Sequence, residues 1–169
     1  MGTRWRRIVT YTITVACAAV TGVLLVAHSS GSAPPRARQY LAFNACLLTG
    51  SRGLAGPQAA QAWAGMQDAS LATRAKVEYL SAMGPQTTAA TLPFLASLVQ
   101  RNCNVIIAVG RAPLAAVSQD APRYQAVRFV AVGGQASTGN VTMVSTTGPP
   151  IKAAVDRLVT SAVQASEPG

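Results

Sequence analysis

The sequence predicts an α/β fold, a single doubly wound and mostly parallel five-stranded sheet with helices on both faces, preceded by one N-terminal transmembrane helix. Three observations carry this reading. Apolar runs of strand length alternate with helical patterns, the strand candidates run into glycine, and half of the residues are apolar while only 5% are aromatic. A core short of aromatics has to be built from small side chains on closely packed layers, which suits helices stacked on a parallel sheet. At 169 residues there is room for one such domain and a terminal appendage, but not for two lobes.

The first strand candidate is FNACLLTG, residues 43–50, and the second is KVEYLSAMG, residues 76–84. NVIIAVG (104–110), VRFVAVGG (127–134) and VTMVSTTG (141–148) follow. Between them Pro57 to Leu71, Thr87 to Gln100 and Ala112 to Asp120 have helical character, and a last helix runs from Pro150 to about Val163. The interval between the fourth and fifth strands lacks one. This alternation implies parallel strands joined by crossovers. Gly50, Gly84, Gly110, Gly133 and Gly134 fall where strands turn into loops. Glycine permits the tight turns needed there, and in open α/β sheets the ligand crevice lies beyond those strand ends.

Residues 8–27, IVTYTITVACAAVTGVLLVA, form a run of twenty without a charge. At about 1.5 Å per residue such a helix covers a hydrocarbon core of roughly 30 Å. Arg4, Arg6 and Arg7 precede it closely, whereas Arg36 and Arg38 follow at a distance, an asymmetry that keeps the amino end cytoplasmic. The expected organisation is a cytoplasmic basic end at 1–7, a signal anchor at 8–27, a polar linker at 28–38 (HSSGSAPPRAR) and an extracytoplasmic domain at 39–169. Cleavage as a secretory signal, or lipidation at Cys17 within TVAC, would give a secreted or lipid-anchored product instead.

A formal charge of +9 raises the question of nucleic acid. Five of the arginines precede the folded part, and from Gln39 onward nine scattered basic residues face five acids. Neither a basic run nor interleaved aromatics for stacking bases is present, so nucleic-acid binding is not expected.

Cys46 and Cys103 each open a strand candidate. In this fold class the first and third strands are neighbours. The two cysteines then lie near the amino ends of adjacent strands, opposite the ligand edge and in an oxidising compartment, which favours a disulfide over two separately buried thiols.

The stretch from Asn104 to Val130, NVIIAVGRAPLAAVSQDAPRYQAVRFV, resembles the basic membrane protein (BMP) family of substrate-binding lipoproteins. ACLLTGSRGLAGPQAAQAWAGM, residues 45–66, is similar to that family's first strand, loop and helix, and GNVTMV, residues 139–144, to its fifth strand. The resemblance implies one Rossmann-like lobe of a two-lobed receptor that takes purine nucleosides or related solutes for an ABC transporter. Two departures bear on this. One helix follows Thr147 where the family crosses into a second lobe, and the first loop reads RGLAGPQAAQ, with Ala55, Gly56, Ala59 and Ala60 where the family presents acidic, aromatic and amide groups. At the end of the fourth strand the family's acid is replaced by Gly133. A solute cleft needs a few convergent polar groups, and the candidates left at the strand ends are Thr49, Ser51, Arg52 and Arg111.

Catalytic machinery is not expected. The exported part has no histidine, since His28 abuts the apolar run, and its acids Asp68, Glu78, Asp120, Asp156 and Glu167 stand singly, as solvated charges do. That also removes a triad and a histidine metal site. Gly50, Gly53 and Gly56 lack the spacing of a dinucleotide loop, and Glu78 sits inside its strand rather than at its end. No metal and no cofactor is therefore expected. The function expected is a membrane-anchored, extracytoplasmic, single-lobe relative of solute-binding proteins, acting as a non-catalytic accessory or sensory module. Its expected partners are the cell membrane and an ABC permease or membrane sensor, with a small solute and a homodimer also open. The alternatives are a BMP-type receptor that works as a dimer and a small exported hydrolase or transferase.

Overall fold

The computed structural model describes residues 39–134 and 139–166. The basic end, the apolar run, the linker and Glu167 lie outside the described residues. Among the described residues no helix is long and apolar enough to cross a membrane.

Five parallel strands, β1 (Asn44–Thr49), β2 (Lys76–Ser81), β3 (Val105–Val109), β4 (Arg128–Val132) and β5 (Val141–Val144), lie in the order β2-β1-β3-β4-β5. Among the described residues four α-helices, α1 (Pro57–Thr73), α2 (Thr88–Gln100), α3 (Arg111–Asp120) and α4 (Ile151–Gln164), accompany the sheet. The expected sheet is thus present and parallel throughout. β3 is buried along its whole length and β1 along all but its first residue, as central strands covered on both faces must be. Alternate residues point to opposite faces. Ala45, Leu47, Val105, Ile107 and Val130 pack with Ala62 and Met66 of α1 and Val155 and Val159 of α4. Leu48, Ile106, Ala108 and Phe129 pack on the other face with Leu95 and Leu98 of α2 and Ala116 and Val117 of α3.

The helix ends follow from local chemistry. Pro57 opens α1 after Gly56, where its missing N–H costs nothing. The Thr87 hydroxyl caps α2 by accepting from the Ala90 amide at 3.2 Å. Small residues let α1 and α4 approach closely: a Cβ on Gly65 would overlap the Lys152 carbonyl oxygen. The Lys152 ammonium also donates to Asp68 at 2.8 Å, and this hydrogen bond, with the Asp68 charge, raises its pKa.

Cys46 and Cys103 form a disulfide with a Cα–Cα distance of 5.9 Å, at the amino-terminal side of β1 and β3 as expected. Of the four described acids, Asp120 departs from the reading as a solvated charge. Asp120 is only 8% exposed and pairs with Arg123 at 3.5 Å, and half-buried Glu78 pairs with Arg101 at 3.6 Å. Arg123 lies only three residues from Asp120, whereas Arg101 reaches Glu78 from the end of another element.

Candidate functional site

The strand order reverses between β1 and β3, and there the loops after the two strands diverge, one toward α1 and the other toward α3. A switch point of this kind leaves a crevice at the carboxyl ends of the strands. A cleft of about 620 Å³ occupies it, and all four expected ligand candidates, Thr49, Ser51, Arg52 and Arg111, line it. A second hollow of about 730 Å³ runs from Gly110 and Arg111 along α3 toward Gln125 and Asn140. It shares Gln58, Gly110 and Arg111 with the switch-point cleft and adjoins the carboxyl end of β4.

The loop after β1 is shaped by Gln86, which the sequence reading did not single out. Its side-chain oxygen accepts the Ser51 amide at 3.1 Å, while its amide nitrogen donates to the Ala82 and Gly84 carbonyls at 3.0 Å each. The side chain thereby ties the loop after β1 to the loop after β2. A methyl group on Gly50 would meet its oxygen at 2.5 Å. Gly53 then turns the chain at φ +53° beside the Ser81 hydroxyl, a conformation that strains any side chain. No sequence signal marks Gln86, because its role depends on the spacing of two loops.

The four candidates are not equivalent. Thr49 is buried, and its hydroxyl is committed to Ser81 at 3.2 Å, so it forms the floor of the cleft rather than a free contact. Ser51, Arg52 and Arg111 are exposed. Among the described residues neither arginine has a carboxylate within ion-pair distance, and none of the four described acids lines the cleft. The Arg52 guanidinium lies over the start of α1, with its Nη2 3.7 Å from where a Gly56 Cβ would stand. Arg111 is the first residue of α3. Neither helix has a side-chain cap at this end, so amide N–H groups and the positive ends of both helix dipoles share the cleft with two cations. Such an arrangement repels cations and attracts an anion. For acid-base or nucleophilic chemistry the lining offers hydroxyls and amides but no acid, histidine or cysteine. Gly56 and Ala59 also line it, so this part of the wall offers no side-chain hydrogen-bonding group.

No family model matches the chain, and no curated protein matches it. Among solved structures it is similar to a fragment from Peptoclostridium difficile 630 assigned as a lipoprotein, with a TM-score of 0.61 and 14% identity over 71% of this chain and 98% of that one. A transcriptional activator of the comK gene from Bacillus halodurans aligns with a TM-score of 0.48 and 20% identity over 59% of this chain and 33% of the other, too little to bear on function. At these identities the likeness is one of fold: the chain is a five-stranded parallel α/β domain of the same architecture as the Peptoclostridium fragment.

Proposed function

We propose that this chain is a membrane-tethered, extracytoplasmic and non-catalytic binding lobe, an accessory or sensory module that presents the carboxyl edge of its sheet to an acidic group on a solute or partner. The observation that carries the reading is the pairing of Arg52 and Arg111 in one switch-point cleft whose lining holds no acid. Two guanidinium groups without a carboxylate partner among the described residues, beside two positive helix ends, favour a bound carboxylate or phosphate.

The outside location draws on three supports. The uncharged run at 8–27 follows three closely spaced arginines. The disulfide suits an oxidising compartment. The fold neighbour is assigned as a lipoprotein. The relation to solute-binding proteins of the BMP kind rests on the sequence resemblance and belongs to the same proposal.

Calorimetry tests the reading. Titration of the protein with inorganic phosphate, a small dicarboxylate and an uncharged nucleoside should give heat only with the two anions. That heat should disappear in the Arg52→Gln, Arg111→Gln double variant. Equal response to all three, or an unchanged response in the double variant, would remove the assignment of the cleft.

A further inference from the structure

On the opposite side of the sheet from the helix-start cleft, the side chains of Cys46, Cys103 and Glu78 meet, each bringing one donor atom within 4.8 Å of the other two. They come from three elements: Cys46 from β1, Glu78 from its register partner on β2, and Cys103 from the turn before β3. The Glu78 Oε1 atom lies 3.6 Å from the Cys46 sulfur and 3.8 Å from that of Cys103. In the oxidised protein the sulfurs are bonded to each other, and this carboxylate oxygen faces both.

We propose that these three residues form a site for one divalent thiophilic cation of the zinc class, offered when the two cysteines are reduced and withdrawn when they form the disulfide. Zinc takes thiolate at about 2.3 Å and carboxylate oxygen at about 2.0 Å, so a tetrahedral arrangement places sulfur and oxygen about 3.5 Å apart. The observed sulfur–oxygen separations are within a few tenths of an ångström of that edge. The two sulfurs would part to about 3.8 Å to complete the other edge, which rotation about the Cα–Cβ bonds accomplishes without moving the strands. A half-exposed Glu78 side chain leaves the fourth position to water.

Charge supports the assignment. Two thiolates and one carboxylate around a divalent cation leave a net charge of −1, and Arg101 stands 3.6 Å from the other Glu78 oxygen, Oε2. It balances that charge while orienting the carboxylate from the side away from the sulfurs, as hydrogen-bonded partners of metal-ligating carboxylates do. The exchange is balanced. A phosphine and one water reduce the disulfide to two thiols, the oxygen going to the phosphine oxide and the hydrogens to sulfur, and the cation then binds and releases the two thiol protons. In the reverse direction a small-molecule disulfide accepts the two electrons, leaves as two thiols and frees the cation.

The experiment uses the full chain. After reduction with a water-soluble phosphine, Co²⁺ should produce the intense near-ultraviolet sulfur-to-cobalt charge-transfer band of a thiolate site, and Zn²⁺ should abolish it. Zinc, but not magnesium, should raise the melting temperature of the reduced chain. The oxidised chain should show neither effect. Glu78→Gln, which leaves both cysteines in place, should weaken zinc binding by about tenfold or more. Absence of the cobalt band in the reduced chain overturns the proposal. So does a Glu78→Gln variant that binds as tightly as the parent, since a flexible pair of thiols would then account for everything. A response to zinc that is equally strong in the oxidised chain has the same consequence.

Discussion

Gly65 on α1 faces the backbone of Lys152 on α4 with no space for a side chain, whereas the obstacle to one at Gly50 is only the movable end of Gln86. The two glycines therefore predict opposite sensitivities. Gly65→Ala has to push two packed helices apart and should destabilise the domain by about 3 kcal/mol. Gly50→Ala displaces one side-chain oxygen and its hydrogen bond to Ser51, a loss of about 1 kcal/mol. Chemical denaturation of the two variants gives the comparison, and equal costs would contradict the packing described.

The disulfide closes a loop with a sequence separation of 57, for which chain entropy gives roughly 4 kcal/mol. The Cys46→Ala, Cys103→Ala variant should lose about that much stability. In the parent protein, unfolded without reductant, neither Cys46 nor Cys103 should react with an alkylating reagent. Labelling of both would mean that the pair is not bridged.

Topology gives the third prediction. If the proposed topology holds, with Arg4, Arg6 and Arg7 keeping the amino end inside, a reporter fused to the carboxyl end should be active only if it works outside the cytoplasm. Activity from a cytoplasm-only reporter would reverse the proposed orientation.

Residues 39–169, as a monomer, should not bind adenosine, guanosine or inosine tightly. One lobe leaves much of a nucleoside in water, and Gly56 and Ala59 line the cleft where the resembled family places polar groups. Each missing charge-assisted hydrogen bond forfeits about 1.5 to 3 kcal/mol. A dissociation constant near or below about 1 μM by calorimetry would support a nucleoside receptor instead.

Most of the framework was legible in the sequence, and the reason is physical. β1, β3 and β4 are buried on both faces and so read as continuous apolar runs ending in glycine, and Pro57 and Thr87 mark helix starts by local chemistry alone. The adjacency of β1 and β3, which brings Cys46 within bonding distance of Cys103 in the turn before β3, follows from the same order. What sequence reading missed depends on distant neighbours. Gln86 gains its role from two loops meeting, and Gly65 is required by a helix nearly ninety residues further on. Glu78 was correctly placed within a strand, but nothing in its spacing shows that its carboxylate faces both sulfurs.

The most direct test of the central claim is an amide-resolved NMR titration of residues 39–169 with phosphate and with a small dicarboxylate. The account predicts saturable shifts concentrated at Gly50, Ser51, Arg52, Gly110 and Arg111, around the cleft they line. Arg52→Gln or Arg111→Gln should each weaken the affinity by about tenfold, the equivalent of one charge-assisted hydrogen bond. Shifts spread evenly over the surface, or a full response retained when both arginines are replaced, would contradict it.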